Sequence, residues 1–227
     1  MFRLIILLSI VKYLSLSSLF SESLAADFRL SSNFGQESNN LSASAQSAGF
    51  GFEIGQSFWE INSLQSGLSL IIGNEMMTGK TSTAQRSRID TVESIYIQAG
   101  FHIKIQQGPG NWTLLAASGP LSASLRMNDS TPQSASIFKS QQLSGWQNSL
   151  TAHYQYPIGR KVFLSSGVTW KQRRIQLGND SFSFFEQNFT TGSLTLTEGA
   201  DRPDNFPIPN EIQSQAWELS LGIMFTI

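Results

Sequence analysis

The chain has 227 residues, a net charge of −1, 14% charged and 40% hydrophobic residues, and no cysteine. Without thiols there is no disulfide framework, thiolate nucleophile or cysteine metal site, and a near-zero charge removes the electrostatic case for nucleic acid. Ordinary globular chains carry roughly 25% charged residues; so few charges without a high apolar fraction suit a wall greasy on one side and Ser/Gly/Gln/Thr-rich on the other.

The N-terminus reads as a secretory signal peptide. Arg3 precedes an apolar run from Leu4 to Val11 that continues to Phe20, and Ser23-Leu24-Ala25 offers small residues for cleavage before Ala26. Residues 1–25 are therefore expected to be removed on Sec export, leaving 26–227. No later segment has a long apolar run, so a membrane span must be made of strands.

Period-2 alternation marks eight strands in the mature chain. The first sets Phe28 and Leu30 against Asp27, Arg29 and Ser31. The second sets Ala48, Phe50, Phe52 and Ile54 against Ser47, Gly49, Gly51, Glu53 and Gly55, and the third sets Leu64, Leu68, Leu70 and Ile72 against Gln65, Gly67, Ser69 and Gly73. The fourth is the clearest, with Ile95, Ile97, Ala99, Phe101, Ile103 and Ile105 against Ser94, Tyr96, Gln98, Gly100, His102 and Lys104. The fifth carries Leu115, Ala117, Leu121, Ala123 and Leu125 as its apolar set, and Pro120 in its middle predicts a bulge. The sixth sets Trp146, Leu150, Ala152, Tyr154 and Tyr156 against Ser149, Thr151, His153 and Gln155. The seventh sets Val162, Leu164, Val168 and Trp170 against Ser165, Gly167, Thr169 and Lys171. The eighth runs from about Glu211 to Ile227, with Leu219, Leu221, Ile223, Phe225 and Ile227 facing away from Ser220, Gly222, Met224 and Thr226.

These strands predict a closed antiparallel up-and-down transmembrane β-barrel, because lipid offers no hydrogen-bond partner to an open strand edge. With the chain end placed in the periplasm, turns 56–62, 107–111 and 157–160 all fall there, and loops 33–44, 74–91, 127–143 and 178–210 fall outside. That is the asymmetry of outer-membrane barrels. Trp146, Trp170 and Trp217 then form an outer aromatic girdle, and Trp59, Trp112, Tyr156 and Phe225 a periplasmic one. The alternative is ten strands, the added pair being 181–184 and 193–197; their Ser and Thr faces favour a hairpin standing above the membrane.

The inward face collects Glu53, His102, Lys104, His153 and Glu218, with Asp27 and Arg29 as candidate additions. An eight-stranded lumen is only wide enough for side chains to fill it, so these charges are expected to pair into a plug, Lys104 with Glu53 or Glu218. A narrow pore for small or hydrophobic solutes is the alternative. Catalysis and cofactors are not expected: outer-membrane lipid A deacylases use a His-x-Ser pair, whereas His102-Ile103-Lys104 and His153-Tyr154-Gln155 lack it, and no EF-hand spacing or other metal motif occurs. The acidic loop 178–210 bears Phe182, Phe184, Phe185 and Phe189, which are candidates for contact with lipopolysaccharide or a surface or host ligand. Lys80, Arg86 and Arg88 in the 74–91 loop are candidates to meet lipid phosphates, the alternative being simple solvation. Five Asn-x-Ser/Thr sequons carry no weight in a chain so rich in these residues.

The terminal strand Ser220 to Ile227 matches the barrel-assembly signal of outer-membrane proteins, through Ser220, Gly222, Phe225 and Ile227, with Ile227 standing where the commonest ending has an aromatic. Together with the hairpin units Ser94–Arg126 and Trp146–Gln176, it makes the chain resemble the small barrels of the OmpA membrane-domain and OmpX-like kind. The resemblance implies a non-enzymatic protein of the bacterial outer membrane, inserted by the barrel assembly machinery, with a role in envelope structure, adhesion or partner binding.

Overall fold

A computed structural model describes residues 26–42, 44–177, 182–199 and 209–227. The expected signal peptide lies outside the described residues, as do Asp180, Asp201, Arg202, Pro203, Asp204, Phe206 and Pro207 of the acidic loop. The strands are β1 Ala26–Asn39, β2 Ala45–Ile61, β3 Leu64–Ser82, β4 Ser87–Gln107, β5 Gly110–Ser130, β6 Ser134–Pro157, β7 Val162–Gln176, β8 Phe182–Asn188, β9 Leu194–Gly199 and β10 Glu211–Thr226.

Eight of them close a ring. β1 to β7 pair in sequence, β7 pairs with β10, and β10 returns to β1 from Asp27↔Thr226 to Asn39↔Ser214, all antiparallel. A path of directly paired residues from Ala26 runs through Gln56, Leu68, Phe101, Ala116, Leu150, Trp170 and Trp217, and meets β1 again at Gln36, ten residues along. With about 3.3 Å per residue and about 4.8 Å between strands, that stagger over eight strands tilts them about 41° from the barrel axis. Each residue then climbs about 2.5 Å. β8 and β9 stand outside the ring: β8 pairs with the upper part of β6 (Ser134↔Asn188 to Ser140↔Phe182), and β9 pairs with β8. The barrel therefore has eight strands, and β8 and β9, Phe182–Asn188 and Leu194–Gly199, form a hairpin above it.

The turns at one end are short: Asn62–Ser63, Gly108–Pro109 and 158–161. Asn62 (φ 54°) and Gly108 (φ 63°) take the left-handed conformation that such tight reversals need. Both described chain ends lie at this end, where the Ile227 amide donates to the Ala26 carbonyl at 3.0 Å.

At the other end the strands run well beyond the expected loops. Segments 33–44, 74–91 and 127–143 are mostly strand, leaving only 40–44, 83–86 and 131–133 as connections. The pattern of the wall inverts along their length. In the lower part, Leu30, Phe52, Leu68, Phe101, Leu114, Leu150, Leu164 and Leu221 are exposed outward, while Ser69, Gln98, Thr151 and Ser220 are buried inside. In the upper part, Met77, Val92, Leu125, Met127, Phe138, Leu143, Ile175 and Ile212 fill the interior as one apolar cluster, with Phe182 and Phe184 of β8 packed into it. A lower zone needs lipid-compatible walls; an upper zone in water needs an apolar core. Sequence reading that seeks apolar residues outward loses its signal where the environment changes.

Two expectations for β5 are corrected. Leu115, Ala117, Leu121, Ala123 and Leu125 point inward and are buried, while Trp112 and Leu114 face out. Pro120 makes no bulge: register is the same on both sides of it, although the pairing with β4 lapses across Gly119–Pro120, where the missing N–H would have donated. The β5 irregularity lies instead between Ala123 and Leu125, opposite β6. β6 forks just there, passing from β7 on its lower half to β8 on its upper half.

Candidate functional site: lumen and outer crown

The lower lumen holds the expected residues, in different pairs. Lys104 makes its ion pair with Asp27, and Glu53 is met by Arg29 at 3.5 Å. Arg29 also donates to Ser220 Oγ at 2.8 Å. Neither Glu53 nor Glu218 meets Lys104, because Asp27 at the foot of β1 lies nearer its ammonium than any lumenal glutamate. His102 sits between two hydroxyls, Ser69 Oγ at 2.9 Å from Nδ1 and Ser57 Oγ at 3.3 Å from Nε2. Ser69 also donates to Glu53 Oε1 at 3.1 Å. One hydroxyl proton cannot serve both, so Nδ1 carries a hydrogen and Nε2 accepts from Ser57. His153 Nε2 accepts from Gln155 Nε2 at 2.8 Å, and Gln155 also donates to Thr113.

This chain of Ser57, His102, Ser69 and Glu53 has the order of a nucleophile, a base and its orienter. It has no room for a substrate. Ser57 and His102 are buried, and the adjoining cavity, bounded by Asp27, Arg29, Glu53, His102, Lys104 and His153, is about 10 Å³, the space of one water molecule. Arg29 Nε, His153 Nδ1 and Gln155 Oε1 border it without protein partners. Among the described residues no group of three or more His, Asp or Glu side chains could hold a metal ion.

A second ionic cluster lies above a layer of Gln98, Gln147 and Ser149. Lys171 bridges Glu75 and Glu218, each at 2.6 Å. Arg173 reaches Glu37 at 3.3 Å, Glu218 at 3.5 Å and also Glu75. Ser47 donates to Glu218 at 3.1 Å, and the Lys171 ammonium lies 5.3 Å from the Tyr96 ring centre. That ring covers Gly73, where any Cβ would strike it. Of this cluster only Glu218 is among the residues singled out from sequence. Glu75 falls in a segment read as loop, although the alternation Gly73–Glu75–Met77–Gly79 continues the third strand through it. Directly above comes the apolar cluster, with Met127, Leu125, Phe138 and Ile212 buried almost completely. The lumen is thus filled from charge to grease.

On the outer wall, Trp59, Trp112 and Tyr156 are exposed near the short-turn end. Trp146 and Trp217 are exposed at the upper limit of the apolar zone, and Trp170 is half-buried beside Trp217, its direct partner. Ser220, Gly222, Phe225 and Ile227 lie in or beside the β10 seam with β1, Phe225 outward against Phe28 and Ser220 inward. The four loop phenylalanines divide. Phe182 and Phe184 are buried, Phe182 stacked on Phe138 at 5.7 Å, while Phe185 and Phe189 are exposed. Alternation along β8 puts even-numbered residues over the core and odd ones in solvent. β9 adds exposed Leu194 and Leu196. Of the three cations expected to meet lipid phosphates, Arg86 pairs with Asp129 and Arg88 with Asp90 at 2.7 Å; Lys80 is exposed.

Asp90 lies above the membrane zone, and burial pushes its carboxyl above the usual aspartate value against the pull of Arg88. A raised folded value makes the protonated form the stabilising one, and that contribution is lost as pH rises through it. Asp90→Asn is therefore expected to stabilise the crown slightly at neutral pH, with the gain over wild type vanishing below about pH 4. Paired urea titrations at the two pH values check this.

No family model and no curated protein matches the chain. Solved structures do. The outer membrane protease OmpT from Escherichia coli superposes with a TM-score of 0.53 at 8% identity, covering 90% of this chain and 96% of its own. A major outer membrane protein from Thermus thermophilus superposes with a TM-score of 0.51 at 11% identity, covering 89% of this chain and 100% of its own. At such identities the likeness is one of fold: the chain has the fold of outer-membrane β-barrel proteins.

Proposed function

We propose that this is a non-enzymatic surface barrel of the bacterial outer membrane that binds a partner through the β8–β9 hairpin. Sec export and delivery to the barrel assembly machinery are part of this reading, supported by the signal-like residues 1–25 and the motif Ser220 to Ile227. The observation that carries the binding role is the β9 edge. Among the described residues its outer side has no neighbouring strand in the sheet, and Leu194 and Leu196 are 65% and 66% exposed in a zone that water surrounds. Soluble edges are usually guarded by Lys, Pro or a bulge, and Leu194-Thr195-Leu196-Thr197 has none of these. The filled lumen argues against the channel alternative, and the one-water cavity argues against lipid A chemistry.

The excursion is removable. The Leu177 amide donates to the Asn210 carbonyl at 3.0 Å, so β7 and β10 stay adjacent at its base. Replacing 178–209 by Asn-Gly is expected to leave heat-modifiable gel migration intact and to abolish adhesion of producing cells to fibronectin- and collagen-coated plates. The unaltered protein should give no steady conductance in planar bilayers. Undiminished adhesion without the excursion, or channels of defined size, would overturn the proposal.

A further inference from the structure

On the outward face above the membrane, the register aligns one row of side chains across six strands. Lys80 pairs with Ile89, Ile89 with Asn128, Asn128 with Ile137, Ile137 with Phe185, and Phe185 with Leu196. Directly paired residues share a face, so Ile89, Ile137, Phe185 and Leu196 lie in one stripe, apolar except at Asn128, that ends at β9, which has no further strand partner among the described residues. Ile89, Phe185 and Leu196 are exposed and Ile137 is half-buried.

Acyl chains cannot reach this stripe. On β4 the last outward apolar residue of the lower wall is Ile95; Glu93 and Thr91 intervene before Ile89, six residues or about 15 Å higher at the strand tilt. The stripe therefore shows grease to water. Its neighbours show charge: in the next row down, Arg126 pairs with Lys139, two cations directly opposed on adjacent strands. Like charges so placed repel. Neither forms an ion pair among the described residues, nor does Lys80 at the end of the stripe; Arg126 is met only by Asn128 Oδ1, at 3.3 Å. Arg126, Lys139, Thr91 and Asn128 border a depression of about 380 Å³ together with one carboxylate, Glu93, so its lining carries two cations against one acid.

We infer that this face is a docking surface for an extended, acidic polypeptide segment of a partner protein, with apolar side chains on the stripe and carboxylates on Arg126 and Lys139. The inference rests on the hairpin-binding reading above and adds the chemistry of the partner. The cations select an acidic partner by complementarity, and the stripe supplies the area such contacts need. A segment lying along the row can extend the sheet past β9, gaining main-chain hydrogen bonds as well.

The test uses the full-length protein in phosphatidylcholine nanodiscs and short fluorescein-labelled peptides that alternate Leu with Glu or Leu with Lys. Fluorescence anisotropy is expected to show the Glu peptide binding at least about tenfold tighter than the Lys peptide. Phe185→Ser with Leu196→Ser should weaken it about tenfold or more, and Arg126→Glu with Lys139→Glu should reverse the preference. All four residues are exposed or outward, so these variants should keep heat-modifiable migration. Equal affinity for the two peptides, or indifference to the variants, overturns the inference. So does a surface that ignores both peptides but binds lipopolysaccharide in a manner lost with Arg126→Glu and Lys139→Glu. If the peptides fail while excision of 178–209 still abolishes cell adhesion, the docking face is wrong and hairpin binding survives; if adhesion survives excision, the underlying reading has failed.

Discussion

Methionine in place of Arg173 is expected to lower the unfolding free energy in urea by about 3–5 kcal/mol, the cost of removing one partner from a buried ionic cluster. Arg173 is 2% exposed at its side chain and touches Glu37, Glu75 and Glu218, so Glu75 and Glu218 would be left sharing Lys171. Glu37 would have no cation among the described residues. Methionine restores the aliphatic stem but no donor, and one pocket of about the same volume would then hold three acids and one base. Adding Glu37→Gln should recover part of the loss, because neutral amides tolerate burial better than unpaired charge. Recovery of nothing would show that the loss came from packing. Lys104→Met should cost less, since Lys104 answers one carboxylate, Asp27, which Thr226 Oγ1 also meets at 2.7 Å.

The same variant separates stability from permeation. If the ionic cluster were the barrier to flow, Arg173→Met would open a channel. Conductance should stay at zero, because the apolar layer of Leu125, Met127, Phe138 and Ile212 lies above the cluster and does not depend on it. A barrel that becomes looser but not leakier is the expected phenotype in planar bilayers.

The membrane zone was legible from residues alone because one rule governs it: apolar out, polar in. Ser94 to Ile105 obeys it at every position, and Leu219 to Ile227 against Ser220 to Thr226 departs from it at the lumenal Met224. The girdle tryptophans mark its limits for the same reason. The upper zone was misread as loops because its rule is reversed; Met77, Val92 and Met127 look like strays until the water outside is recognised. β5 misled most, since Leu115 and Ala117 turn inward even in the lower zone while Ser118 and Pro120 face out. Of the candidate site residues, Glu53, His102, Lys104, His153 and Glu218 all lie in the lumen. Their partners were hidden because strand stagger decides them. Asp27 meets Lys104, and Glu75 meets Arg173, across separations in chain and height that alternation cannot supply. The hairpin phenylalanines illustrate the limit of composition: four in one acidic segment suggest one surface, yet parity sends Phe182 and Phe184 into the core.

Phe138→Ala is expected to cost about 3–5 kcal/mol in the crown, the range for deleting a buried aromatic, and to leave the membrane zone unchanged. Phe138 is 1% exposed, stacks on Phe182 and sits where β6 has left β7 for β8. It ties the hairpin to the apolar layer, which the lower wall meets at Tyr96 and Ile71 on strands already fixed by lipid and closure. The wall's own stability comes from a ladder closed on itself, which a cavity above the membrane does not break. Loss should therefore be local: chymotrypsin should cut the hairpin at Phe185 and Phe189 many times faster in the variant, while heat-modifiable migration and urea resistance of the remaining barrel hold. Cooperative loss of the whole barrel would mean that crown and wall fold as one unit, and the two-zone account would fail with it. A leak in planar bilayers from Phe138→Ala, absent in Arg173→Met, would instead place the permeation barrier in the apolar layer, where the distribution of charge and grease along the lumen puts it.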